Sequence, residues 1–110
     1  MNNKKEYIIC AAIHFKNEIV YKEQPINVKS GIVIAGRRHS DCCLTIINLI
    51  GDDFLSKYNH ANKKAVDGFI TSTNRFVDRY EAYKIAKEQN QVLYEESNSK
   101  NKILVSENLY

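Results

Sequence analysis

Gly68-Phe69-Ile70-Thr71-Ser72-Thr73-Asn74-Arg75-Phe76-Val77-Asp78-Arg79-Tyr80-Glu81-Ala82 is the stretch that decides the fold. Gly68 to Ser72 reads as a strand, Thr73-Asn74 as a turn, and Arg75-Phe76-Val77 as the strand returning from it. A helix follows at once. Asp78 with Glu81 three residues later fits a capping box, and Ala82, Ile85, Ala86 and Gln89 mark one face of a helix running to about Asn90.

Upstream, Tyr7 to Phe15 is rich in β-branched and aromatic residues, Lys16-Asn17-Glu18 interrupts it, and Ile19-Val20-Tyr21 suggests the partner strand of a hairpin that Pro25 ends. Ile32-Val33-Ile34 reads as a short buried strand leading into Gly36-Arg37-Arg38-His39-Ser40. Ser40 as N-cap and Asp41 in the first turn predict a helix from Asp41 to Ile50, closed by Gly51. Its apolar residues, including Leu44, Leu49 and Ile50, cover almost the whole circumference, so it must be buried in the core or partly buried between subunits, and the second is favoured.

Asp52 to Asp67 fits a short helix or a loop equally well. Glu95 to Asn101 reads as a polar loop, Ile103-Leu104-Val105 as a last strand, and the tail ending in Leu109 and Tyr110 is expected to pack. The order β-β-β-α-β-β-α-β predicts an α+β fold, a mainly antiparallel sheet with two principal helices in one small domain spanning 1–110.

The chain has 110 residues, enough for one core and for a single module rather than a separate catalytic domain. Its formal charge of +3 is too mild for coating a nucleic-acid duplex. The apolar runs Ile8 to Ile13 and Cys42 to Ile50 are far shorter than the roughly 18 residues of a membrane span. The N-terminal sequence does not read as a signal peptide. Cys10, Cys42 and Cys43 have neither CxxC nor disulfide-framework spacing, which predicts reduced thiols in the cytoplasm.

The 16 basic residues divide into 12 scattered lysines and four clustered arginines. Arg37 and Arg38 precede the first predicted helix, and Arg75 and Arg79 flank the start of the second. Helix N-termini carry unpaired N–H groups and a partial positive charge, and guanidinium groups add bidentate donors for phosphate oxygens, so a pyrophosphate is the natural match. The bland alternative pairs these arginines with Asp41, Asp78, Glu81 and Glu107. Phe69 and Phe76 are nearby flat faces for a base, although each is as readily a core residue.

Catalysis finds little footing. His39 and Asp41 are two apart at a helix start and do not face each other, and Cys42 reads as buried. His14, His39, His60 and the cysteines show no metal-ligand spacing, and no glycine loop for a phosphate or a dinucleotide is present. No cofactor is expected.

Three blocks in order, Gly36 to Cys42, Gly68 to Ala82 with Ile85, Ala86 and Gln91, and Leu104 to Leu109, resemble a family of small phage proteins, the first described type of Thoeris anti-defence protein. The resemblance covers about half the chain. It departs at Tyr110, where the family often ends in tryptophan, and across Asp52 to Asp67. It implies a protein of the infected or lysogenic host's cytoplasm that binds cyclic ADP-ribose isomers made by TIR-domain enzymes, without cleaving them, and so blocks Thoeris signalling. It also implies a homo-oligomer with pockets at a dimer interface and, in some members, further pockets for cyclic dinucleotides or trinucleotides. Matched to the family blocks, Arg37, Arg38, His39, Asn74, Arg75 and Arg79 fall near the ligand, with Phe69 or Phe76 as base platform. The competing expectations are a nucleotide-processing enzyme using His39 or Asp41, and an inhibitor that binds the TIR enzyme or its effector directly.

Overall fold

The computed structural model describes residues 5–95 and 101–110. Four strands form one antiparallel sheet: β1 (Ile8–Phe15), β2 (Ile32–Gly36), β3 (Ala65–Thr71) and β4 (Phe76–Asp78), in spatial order β2-β1-β3-β4. The helices are α1 (His39–Ile50), the short α2 (Asp52–Lys57) and α3 (Arg79–Glu88), and a 3₁₀ turn spans Ser106–Asn108. This is the α+β domain with a mainly antiparallel sheet and two principal helices that the sequence predicts.

Period-two alternation sorts the sheet into faces. Ala11 pairs with Phe69, which pairs with Val77, and all three are buried in one cluster with Ala82, Tyr83 and Ala86 of α3. Ile13 and Phe15 form a second cluster with Cys42 and Ile46 of α1. The two helices therefore lie on one face, each over its own core. On the opposite face Phe76 sits beside Gly68, where a Cβ would come within 2.5 Å of the ring and 2.2 Å of the Val77 carbonyl, so only glycine fits.

The hairpin β3–β4 turns at Thr73-Asn74 as expected, with Asn74 at φ 62°. Asp78 caps α3 by accepting the Glu81 N–H at 2.9 Å. Helix α1, in contrast, begins two residues earlier than Ser40 predicts. The Asp41 carboxylate reaches back to accept the Arg38 N–H at 3.2 Å, which places Ser40 inside the first turn. Nor is α1 buried all round: only Cys42 and Ile46 are fully covered, while Leu44, Leu49 and Ile50 are 57%, 72% and 56% exposed.

Two expected strands are absent. Ile19-Val20-Tyr21 lies in the loop after β1, closed by Gly31 N–H on the Ile19 carbonyl at 2.7 Å. It has nowhere to pair, because β2 and β3 already occupy both edges of β1. Ile103-Leu104-Val105 is extended but joins no sheet; Leu104 plugs the α3 core, and its N–H donates to the Arg79 carbonyl at 3.0 Å. The undecided stretch from Asp52 contains α2, held by Phe54 packing edge-on against Phe15 at 5.4 Å, and the beginning of β3 at Ala65. The expected polar loop from Glu95 lies largely outside the described residues, at 96–100. The tail packs as expected, with Leu109 7% exposed.

Candidate functional site

Three of the four arginines gather on the C-terminal segment. Arg38 donates from Nη2 to the Tyr110 main-chain oxygen at 2.7 Å and from Nη1 to Ser106 Oγ at 3.2 Å, with Glu107 at 3.9 Å. Arg37 and Arg38 lie 5.1 and 5.3 Å from the centre of the Tyr110 ring, whose hydroxyl donates to the Arg37 carbonyl. Arg79, at the head of α3, donates from Nη1 to the Leu104 carbonyl at 2.9 Å and from Nη2 to Asp67 Oδ2 at 2.7 Å. Thus the N-termini of α1 and α3 are both bound to residues 104–110.

Between them sits His39. Its Nε2 lies 2.9 Å from the Gly68 carbonyl, which only accepts, so Nε2 carries the proton. Burial pushes its pKa below the usual histidine value, which favours the neutral ring. The ring meets Phe69 edge-on at 5.2 Å, and Phe69 is fully buried beneath it. His39 is therefore the group that a ligand reaches before Phe69.

Asp67 projects from β3 on the helix side of the sheet and accepts two hydrogen bonds, from Arg79 on Oδ2 at 2.7 Å and from His60 on Oδ1 at 2.6 Å. Burial alone pushes its carboxyl up, but the hydrogen bonds from His60 and Arg79 bring it below the usual aspartate value. A groove of about 540 Å³ opens beside this pair, lined by Lys16, Lys63, Arg79 and His60, by the carboxylates of Asp67 and Asp78, and by the exposed ring of Tyr80. Its volume is in the range of small-ligand pockets. Cations with one aromatic face suit a phosphate-bearing, ring-containing anion.

Arg75 is placed apart from the other three. Its guanidinium bridges Glu6 and Glu81, each at 2.8 Å from Nη2, and Nε adds a third bond to Glu6. Glu6 also accepts from the Thr71 and Thr73 hydroxyls, and its pKa falls to about 2, chiefly through the Arg75 hydrogen bonds. Of the four acids anticipated as bland partners of the arginines, Glu81 holds Arg75 and Glu107 lies beside Arg38, whereas Asp41 and Asp78 instead accept backbone N–H groups at the starts of α1 and α3. Asn74 is exposed at the hairpin tip. Phe76 is half-buried on the far face, its ring 5.7 Å from His14. Asn74, Arg75 and Phe76 thus stand away from the Tyr110 cluster in their partners.

Lys16, His60 and Lys63 of the groove escape a sequence reading as ligand contacts, because lysine scatter looks like ordinary surface and only the path of β3 brings them together, whereas Tyr80 is legible as an aromatic next to Arg79. The thiols offer no nucleophile: burial pushes Cys42 up to about 12. Among the described residues no group of three His, Cys, Asp or Glu is placed to hold a metal ion, and no helix is long and apolar enough to cross a membrane.

A small α+β domain with arginines at both helix N-termini, Arg79 of which opens onto a groove of mixed charge, is thereby defined, and comparison with known families assigns it to phages. The chain belongs to the family of the phage T4 y16D protein, whose model matches residues 7–110. No curated protein and no solved structure matches it.

Proposed function

We propose that this phage protein is an anti-defence protein that binds and sequesters, without cleaving, cyclic ADP-ribose isomers made by bacterial TIR-domain enzymes, so that Thoeris signalling stops. Cyclic dinucleotides and trinucleotides are further ligands in this reading, and the working form is a homo-oligomer in the host cytoplasm. One observation carries it: Arg79, at a helix N-terminus and tied to the segment that also holds Arg38, opens onto the groove with Lys16, Lys63 and the Tyr80 ring. A pyrophosphate needs such cations, and an adenine needs such a face. The neutral, donating His39 and the high-pKa Cys42 favour binding over turnover.

A second reading rests on the His60–Asp67 pair at 2.6 Å, since a carboxylate-oriented histidine facing a groove is what a nucleotide-processing enzyme uses as a base. One experiment separates them. The protein is incubated with a cyclic ADP-ribose isomer, denatured, and the released small molecule weighed by mass spectrometry. Intact ligand in proportion to protein supports sequestration. Recovery of only ADP-ribose or AMP, lost again in His60→Ala, overturns it.

A further inference from the structure

A second groove, of about 550 Å³, opens on the face of the sheet that carries no helix, lined by His14, Lys16 and Glu18, by the 27–30 segment of the loop before β2, and by Lys64 just ahead of β3. Its loop wall is fixed at both ends. Asn27 ties it to β4: Nδ2 donates to the Phe76 carbonyl at 2.7 Å and Oδ1 accepts the Phe76 N–H at 2.9 Å. At the other end His14 Nε2 lies 2.8 Å from the Ser30 carbonyl, which only accepts, so Nε2 carries the proton. Gly31 allows that approach. It sits at φ 86°, and a Cβ there would come within 2.6 Å of His14 Nε2 and 2.5 Å of the Phe15 carbonyl.

The charge along this groove is not balanced. The Lys16 N–H donates to the Lys64 carbonyl at 2.8 Å, which extends the β1–β3 ladder one pair beyond Phe15 and Ala65, so Lys16 and Lys64 stand opposite each other on the face of His14. Like charges in that position are destabilising. Lys29 brings a third ammonium from the loop. Among the described residues no carboxylate forms an ion pair with any of the three, and Lys64 has only the Tyr58 ring, 5.9 Å away. Glu18 is the single acid of the groove, against three lysines.

We infer that this groove binds a phosphate dianion, free or as a small monoester, held by Lys16, Lys29 and Lys64. The anion removes a repulsion that the empty fold has to bear, and its two charges match the excess of the lysines over Glu18. A phosphomonoester is close to doubly charged at neutral pH, because its second pKa is about 6, and it gathers that charge on three oxygens around one atom. A dicarboxylate holds its charges apart, and a phosphodiester has only one. Lysine ammoniums serve a compact anion of this kind as point charges. The tethered loop needs little ordering on binding. The site shares only Lys16 with the Arg79 groove and stands whether or not that groove takes a cyclic nucleotide.

The test is thermal melting of the full chain at fixed ionic strength and pH. Inorganic phosphate and ribose 5-phosphate should each raise the wild-type Tm with concentration, as binding to the native state requires, while succinate and dimethyl phosphate should not. A larger gain with ribose 5-phosphate assigns the monoester as the source, and an equal gain assigns the free ion. Lys64→Gln removes one of the two opposed charges, so without phosphate it should melt above wild type, yet its apparent affinity for phosphate should fall about tenfold, as should that of Lys29→Gln. Lys29→Gln should still take up a cyclic ADP-ribose isomer, which separates failure of this site from failure of sequestration. No gain with either phosphate, an equal gain with succinate or dimethyl phosphate, a full response in both lysine variants, or a Lys64→Gln variant that melts below wild type overturns the inference.

Discussion

Replacing Glu6 by glutamine should lower stability by an amount that the geometry bounds. The carboxylate receives two bonds from Arg75 and one each from the Thr71 and Thr73 hydroxyls, and together they tie the segment before β1 to the β3–β4 hairpin. Its pKa falls from an ordinary 4.5 to about 2, which caps the contribution near 3.4 kcal/mol at about 1.36 kcal/mol per pH unit. The side chain is 21% exposed, and solvent screening brings the expected loss to about 1–2 kcal/mol. For a domain of this size that is a drop in Tm of roughly 4–8 °C at pH 7. The sign with pH is fixed: a carboxylate whose folded pKa is depressed stabilises above its unfolded pKa, and the contribution disappears as pH falls from about 5 to about 2. Calorimetry of wild type and Glu6→Gln at pH 7 and near pH 2 should show the gap closing. Equal melting temperatures at pH 7, or an undiminished gap at low pH, would refute the clamp.

Arg79→Gln should abolish nucleotide binding measured by calorimetry, since it removes the cation shared by the groove and the α3 N-terminus, whereas Lys22→Gln on the exposed loop should leave it unchanged. Ile46→Ala, beneath α1, should cost about 2–5 kcal/mol in urea unfolding through the cavity it leaves. Gly68→Ala should cost about 1–3 kcal/mol, because the new methyl meets the Val77 carbonyl and the Phe76 ring; an unchanged midpoint would mean that β3 and β4 separate freely. His39, whose folded pKa is lowered, should contribute stability that is complete above the ordinary histidine pKa and lost as pH falls below it, so His39→Gln should flatten the Tm profile between pH 7 and 5.

The elements written in local chemistry were legible. Asp78 and Glu81 announced α3, Thr73-Asn74 announced the hairpin turn, and Gly51 the end of α1. The failures came where pairing partners, not propensity, decided. Ile19-Val20-Tyr21 has the composition of a strand, but β1 has only two edges and sequence-distant strands occupy both. Ile103-Leu104-Val105 serves as a core plug rather than a strand because Asn27 already covers β4. The arginine clusters were visible, but not their division: Arg75 is four residues from Arg79 in sequence, yet a bond to Glu6 across 69 positions draws it away to other partners. Lys16, His60 and Lys63 belong to a groove that exists only once β3 lies beside β1.

The ties that close the domain share one property: they join residues far apart in the chain. Glu6 meets Arg75 across 69 positions, Ile8 meets Gln91 across 83, and Arg38 meets Tyr110 across 72. A nascent chain emerging from the ribosome can complete the core under α1 once β3 has emerged, but the core under α3 is not sealed until Leu104 and Leu109 have been synthesised. However early α1 and the hairpin form, the α3 half of the domain therefore has to wait for a segment made long after the strands it closes.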